Sequence, residues 1–314
     1  MRRILVTGAA TWTGSRLIQM LEQRDDVLVM AVDELRPSLE FASSFYKVSL
    51  DRPEFARFLL DVGPETVVHL QTVDRVAELG RGRAHEGAVV GAQALFGAIG
   101  RSPDVRHVIV KSDATVYGSG PRNPSIFAEG TLPQGRRSRY SRDLTEMEGF
   151  LRDVAESHSH VDYTILRFAS VLGPTVGNPI SRFVRLRVVP TQLGFDPRLQ
   201  FIYEDDAVAA LQHTVLNPVS GTFNIASQGQ MYLSRVLRLG GRIHQPLPRR
   251  GFDAALRALA RLDLYVPDHL ARLLRYGRVL DTAQMRQRLG FEPVRSCREA
   301  VLASYGRLPD RVDT

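Results

Sequence analysis

Apolar and polar positions alternate along the first half of the chain in two rhythms. Ile4, Leu5 and Val6 form a short apolar run, a glycine-punctuated loop follows, and from Ser15 the apolar residues Leu17, Ile18 and Leu21 recur at helical spacing. This predicts a strand, a tight turn and a helix. The same rhythm then repeats. Residues 27–32, 45–50, 65–70 and 105–110 read as strands, with helices over 53–62 and 84–99. Strands separated by helical stretches imply right-handed crossovers and an α/β fold with a doubly wound parallel sheet.

A polar loop over 119–139 precedes a helix that Tyr140 opens, and a strand over 163–168 runs into ASVLGP. Beyond Pro174 the pattern loosens. It predicts a helix near 181–186, a strand at 199–203, a helix over 205–216, a strand at 222–225 and a last helix over 281–289, capped by Gly290. Residues 252–276 are amphipathic, arginine-bearing and broken at Pro267, as in a lid, a surface helix pair or a membrane-surface helix. The expected organisation is a Rossmann-type nucleotide-binding domain over 1–174 and a smaller α/β substrate-binding region over 175–314. Parts near 199–225 are expected to return to the main sheet.

Composition narrows the function classes. Of 41 basic residues only Lys47 and Lys111 are lysines, and no dense basic run carries interleaved aromatics, so the net charge of +7 does not point to nucleic acid. The single cysteine, Cys297, excludes an internal disulfide and a cysteine metal cluster. No apolar run has the length of a membrane span, and the first strand begins too close to Met1 for a signal peptide. A cytoplasmic protein without metal, nucleic-acid or membrane partners is expected, acting on a small-molecule ligand.

The first loop carries the candidate chemistry. A strand–loop–helix unit offers unpaired N–H groups to a pyrophosphate, here from Gly8, Thr11, Trp12, Thr13 and Gly14. Thr11 stands midway between the glycines, where a second glycine would let backbone approach the phosphates. Asp33, at the tip of the second strand, suits a ribose diol and favours NAD over NADP; it suits a helix cap or turn equally well.

TGAATWTGSRL, VVHLQ, SDATVYG, Tyr140 opening a helix, LRFASVLGP, FIYEDDAVAAL, GTFNIAS and DTAQMRQRLGFEP stand in this order. Over almost the whole chain they resemble the extended short-chain dehydrogenase/reductases, and within these the NAD-dependent epimerase/dehydratase family of nucleotide-sugar enzymes. The resemblance implies a hydroxyl residue, a tyrosine and a lysine four residues after it. The lysine would lower the phenol's pKa so that tyrosine accepts a proton while hydride passes to NAD. Those positions hold Asp113, Tyr140 and Leu144. Without the lysine, and with an anion at 113, the phenol is expected to titrate upward and to suit proton donation.

Other positions that the resemblance assigns to the cofactor have changed too: Ser49, Gln71, Thr72, Ala88, Phe168 and Ser170 stand where an acid, two alanines, an asparagine, a proline and an asparagine are implied. Lys111 and Asp113, two apart, share a face of their strand; Lys111 supplies the missing cation there or forms a structural or solvated charge. Thr115 and Ser170 with Arg198 and Arg278 are the candidate substrate contacts, Arg275 being a third arginine for a diphosphate. Three functions fit these residues. One is an enzyme redirected to acid–base chemistry through Tyr140 and Asp113; the others are an ordinary NAD-dependent epimerase or dehydratase and a non-catalytic scaffold or sensor. The resemblance also implies a homodimer through the helices near 84–99 and 140–155.

Overall fold

In the computed structural model, residues 1–37, 39–71, 76–132, 138–261 and 264–308 are described, without the side chains of 76–88. The first elements are β1 (Arg2–Thr7), α1 (Trp12–Leu21), β2 (Val27–Asp33), β3 (Ser44–Lys47), α2 (Pro53–Val62), β4 (Thr66–His69), α3 (Val76–Arg101) and β5 (His107–Asp113). Then come α4 (Arg139–Ser157), β6 (Asp162–Phe168), β7 (Ser170–Leu172), α5 (Pro179–Val184), β8 (Val188–Gln192), β9 (Arg198–Leu199), β10 (Phe201–Tyr203) and α6 (Glu204–Leu216). The chain ends with β11 (Gly221–Ile225), β12 (Met231–Tyr232), α7 (Leu233–Leu239), β13 (Ile243–Leu247), α8 (Arg249–Ala260), α9 (Asp268–Tyr276), α10 (Ala283–Gln287) and α11 (Cys297–Ser304).

Seven strands form the main sheet in the order β11-β6-β5-β4-β1-β2-β3. The pairs around β1 are parallel, with Val6 beside Ala31 on one side and Val68 on the other. This is the Rossmann-type, doubly wound arrangement. Strand order reverses between β1 and β4, and ligands of such sheets bind beyond the carboxyl ends of the strands at this point. The strands read as continuous apolar runs because helices cover both faces of a parallel sheet. Leu5, Val6, Val67, Val68, Val108 and Ile109 are wholly buried.

The chain divides into two units of about equal size, each built from separated segments. The first holds Met1–Asp113, Arg142–Arg167 and Val208–Phe223; the second holds Ala114–Ser141, Phe168–Ala207 and Asn224–Thr314. The expected boundary at 174 was sequential, whereas the chain passes between the units several times; of residues 199–225, expected to return in part to the main sheet, β11 lies in that sheet, while β9 and β10 pair with β12 and β7 in separate two-stranded sheets. The second unit has its own core, in which Phe183, Phe201, Val236, Leu237, Phe252 and Leu274 are wholly buried.

Local signals set most helix ends. Pro53 opens α2 and Gly63, at φ 54°, closes it. Pro267 separates α8 from α9, and Ser296 with Glu299 forms a capping box on α11, which the sequence pattern had not distinguished. Among the described residues no helix is long and apolar enough to cross a membrane, and no group of three metal-ligating side chains occurs.

Candidate functional site

The loop after β1 is locked by its two glycines. Gly8 adopts φ 79°, and a Cβ there would lie 2.7 Å from the Gln71 backbone nitrogen. A Cβ on Gly14 would lie 2.3 Å from the Gly8 carbonyl oxygen. Between them Thr11 has ordinary extended dihedrals and caps α1: its Oγ1 donates to the Gly8 carbonyl at 2.7 Å and accepts the Gly14 N–H at 3.0 Å. Nothing in the backbone at 11 calls for glycine. The helix therefore begins at Trp12, three residues before the expected Ser15, and the first-turn N–H groups of Trp12 and Thr13 have no intrahelical carbonyl to meet.

Asp33 is buried at the end of β2, where Oδ2 accepts the Ala10 N–H at 2.9 Å and Oδ1 the Leu35 N–H at 3.0 Å. It ties the loop to the strand that follows α1, so the turn role of this aspartate is realised. Gln71 is buried at the end of β4. Beneath it His69 pairs with Thr7 across the strands at 2.8 Å, and burial pushes its imidazole down to about 4. Thr72 lies outside the described residues. A positive-φ glycine, a helix N-terminus of full length and an acid at the next strand's tip fit the diphosphate and ribose of a dinucleotide.

At the same carboxyl edge of the sheet, one strand beyond β4, whose His69 pairs with Val110, Lys111 and Asp113 close β5, both partly buried, flanking Ser112, which faces the opposite way. Ser112 donates to Glu148 at 2.7 Å. Glu148 also binds Arg167 at 2.6 and 3.0 Å and Arg152 at 2.8 Å. Burial pushes the Glu148 carboxyl up, but Arg167, Ser112 and Arg152 together hold it below the ordinary carboxylate range.

In the second unit three arginines meet at one wall. A Cβ on Gly277 would lie 2.4 Å from the Arg198 carbonyl oxygen, which accepts the Arg278 N–H at 2.9 Å. This close approach brings β9 against the chain leaving α9. Arg198, Arg275 and Arg278 then line one cavity of about 560 Å³ with Asn123, Phe195 and Tyr232. Arg278 is 8% exposed and donates to Thr115 Oγ1 at 3.2 Å and to the Gly118 carbonyl at 3.4 Å. Arg275 is held by Asp253 and, at 2.7 Å, by Gln192. Among the described residues the buried Nδ2 of Asn123 has no partner, and Phe195 and Tyr232 are half exposed. Fixed guanidiniums, an orphan donor and open aromatic faces suit a phosphorylated ligand with a flat ring. Neither Thr115 nor Ser170 lines this cavity: Thr115 accepts from Arg278 behind it, and Ser170 pairs with Phe201 in β7–β10.

Tyr140, in the first turn of α4, stacks on His269 of α9 with ring centroids 4.6 Å apart and a 30° tilt. Sequence reading missed His269, because only the fold brings α9 to this tyrosine. One turn further along α4, Leu144 is 1% exposed and belongs to the core.

A family profile described as the NAD dependent epimerase/dehydratase family matches residues 4–226. An uncharacterized protein of Mycobacterium tuberculosis is 35% identical over 301 residues, covering 92% of this chain and 80% of the relative. The chain belongs to the epimerase/dehydratase family. Solved structures agree with this family fold. UDP-glucose 4-epimerase of Thermotoga maritima is 23% identical with a TM-score of 0.72, over 97% of this chain and 98% of that one. UDP-glucuronic acid 4-epimerase of Bacillus cereus is 19% identical with a TM-score of 0.74, over 98% of each. A dTDP-glucose 4,6-dehydratase of Bacillus anthracis is 15% identical with a TM-score of 0.73, over 98% and 96%. Within this epimerase/dehydratase chain the VYG tyrosine, Tyr117, is structural: it is wholly buried and donates to Asn224 at 2.6 Å.

Proposed function

We propose that this epimerase/dehydratase-family protein binds a nucleotide diphosphate sugar through Arg198, Arg275 and Arg278, and transforms it by acid–base chemistry rather than by a tyrosine–lysine hydride shuttle. Leu144 carries the reading. Where the family resemblance implies a lysine, this chain has a core leucine, so the cation that would make Tyr140 a base is replaced by hydrocarbon. The phenol of Tyr140 then serves as a proton donor. His269, stacked on it, supplies an imidazole, the side chain that exchanges protons most readily near neutral pH.

The Gly8, Thr11 and Gly14 loop, with Trp12, Thr13, Asp33 and Gln71, is the proposed NAD site. NAD, when bound, would supply reversible hydride acceptance only in the second reading below. The chain's own part is to hold the diphosphate on the first turn of α1 and to orient the ribose beside Asp33. Thr11 keeps a Cβ at the position of closest approach, so NAD is held less tightly than by a glycine loop.

A second reading, an ordinary NAD-dependent epimerase or dehydratase, is favoured by the intact Gly8–Gly14 interlock. One experiment separates the two. The protein is incubated with NAD and UDP-glucose or UDP-glucuronic acid, while sugar products are followed by NMR and reduced cofactor by absorbance. Conversion without transient reduced cofactor, lost in Tyr140→Phe, supports the acid–base reading. Transient reduction supports the ordinary enzyme, and failure of UDP and of both sugars to bind rejects the ligand assignment.

The proposal includes a homodimer through the helices near 84–99 and 140–155. Leu95 is wholly buried within the protomer, whereas Val90 is 48% exposed on α3. Val90→Glu is expected to lower the mass seen in sedimentation, and a monomeric parent protein would reject the pairing.

A further inference from the structure

Charge is divided unevenly along the chain. The second unit carries 24 arginines against 13 carboxylates, and the first 17 basic residues against 21 acidic ones. All of the positive excess therefore belongs to the second unit. Part of it gathers at one end of the two-stranded ribbon formed by β8 and β13.

Ile243 and Val188 are register partners in this ribbon, so their side chains stand next to each other. They are 57% and 50% exposed. Arg187 precedes Val188, and its carbonyl accepts the Ile243 N–H at 3.1 Å. Arg242 precedes Ile243, and its N–H meets the Leu237 carbonyl at 2.9 Å, folding the turn back onto the end of α7 where Arg238 is exposed. Arg307 donates to the Leu239 carbonyl at 2.6 Å and reaches the same turn, where a Cβ on Gly241 would lie 3.3 Å from its Nη2.

Tyr305 marks the centre of this cluster. The Arg242 guanidinium lies 5.4 Å from its ring centroid. Burial pushes the Tyr305 hydroxyl up to about 12, with Arg242, Arg185 and Arg307 pulling the other way. Among the described residues Arg187, Arg238, Arg242 and Arg307 have no carboxylate within ion-pair distance, and the buried Nε of Arg242 has no acceptor.

We propose that this end of the β8–β13 ribbon docks the protein on an anionic lipid bilayer, with Ile243 and Val188 entering the interface and Arg187, Arg238, Arg242 and Arg307 meeting lipid phosphates. Cations without a carboxylate partner among the described residues, set around a small aliphatic tip, are the composition of a surface that settles on anionic lipid. Two aliphatic residues are too few for the core of a stable protein interface, which takes about 800 Å² from each partner. The aromatic ring of the cluster, Tyr305, is already faced by Arg242 and tied by its hydroxyl to the Val184 carbonyl, so it is not an open platform of the kind on which bases of single-stranded nucleic acid stack. From the sequence no membrane partner is expected, and a membrane-surface helix is an option only for the amphipathic stretch 252–276; the cluster at the β8–β13 ribbon lies outside that stretch.

The test is co-sedimentation of the whole protein with vesicles of phosphatidylcholine alone or mixed with phosphatidylglycerol. Partitioning is expected only onto the anionic vesicles and is expected to weaken as salt rises. Arg187→Gln and Arg238→Gln, both exposed, should each lower the partition coefficient about fivefold, and Ile243→Ser should lower it too, with melting temperatures unchanged. Equal binding to neutral vesicles, no binding to anionic ones, or wild-type partitioning by these variants would overturn the proposal. So would equally tight binding of soluble polyglutamate, which would assign the surface to an acidic protein.

Discussion

Thr11 closes the dinucleotide loop from within, and its side chain trades one asset for another. Its hydroxyl satisfies the Gly14 N–H and the Gly8 carbonyl, while in the proposed NAD site its Cβ would occupy space that a glycine leaves to a phosphate. Thr11→Gly is therefore expected to cost only a few tenths of a kcal/mol in stability and to tighten NAD severalfold. Thr11→Ala loses the cap, costing about 1 kcal/mol, and gains nothing. Calorimetric titration with NAD and urea unfolding of both variants check this; equal NAD affinity in all three proteins would reject the trade. The two glycines themselves were legible in the sequence, because a positive φ and a backbone-to-backbone approach each demand a missing Cβ. The use of Thr11 as a cap was not legible, since it depends on where α1 starts.

At the scale of elements, α4 and α9 decide what the site can do. Tyr140 and Leu144 are one turn apart on α4, yet the first stacks on His269 and the second is core. Restoring the lysine by Leu144→Lys should not install a hydride shuttle. It would bury an ammonium without a designed partner, at an expected cost of more than about 3 kcal/mol in unfolding free energy; a stable Leu144→Lys variant that reduces NAD with UDP-glucose would sink this. The arginine wall divides similarly. Arg198 is partly exposed, so Arg198→Ala should weaken UDP binding at least tenfold with little loss of stability. Arg278 is buried on Thr115 and Gly118, so Arg278→Ala should lower both UDP affinity and the melting temperature. Identical behaviour of the two variants in paired binding and melting measurements would contradict this division. Arg198, Arg275 and Arg278 could be picked from the sequence as candidates, but their meeting at one cavity depends on Gly277 lying against Arg198. No local pattern encodes that contact.

For the whole molecule, acid stability follows from buried histidines. Burial pushes His69 and His107 down to about 4 from an ordinary 6.5. The unfolded chain takes up these protons below 6.5 and the folded chain refuses them, so stability is full above that pH and falls as pH drops towards 4. The loss is roughly 3 kcal/mol per histidine. Glu148 adds a separate loss at lower pH, because its carboxyl is held below the ordinary range by Arg167, Ser112 and Arg152. Urea unfolding between pH 8 and 4 should show the first slope, and His69→Gln with His107→Gln should flatten it; an unchanged slope in the double variant would refute the assignment.

The sequence by itself determined the alternation of strand and helix, the glycine loop, the acid at the tip of β2 and the loss of the lysine, because each is carried by residues close together in the chain. Tertiary structure alone decided the interleaving of two units along the chain, the pairing of Tyr140 with His269, the convergence of three arginines and the gathering of cations beside Ile243. Those depend on contacts between segments far apart in sequence, which form only when separate apolar faces are buried together. The loop that opens the chain shows both: its turn is local, while its tie to Asp33 and its closeness to Gln71 exist only because β2 and β4 flank β1.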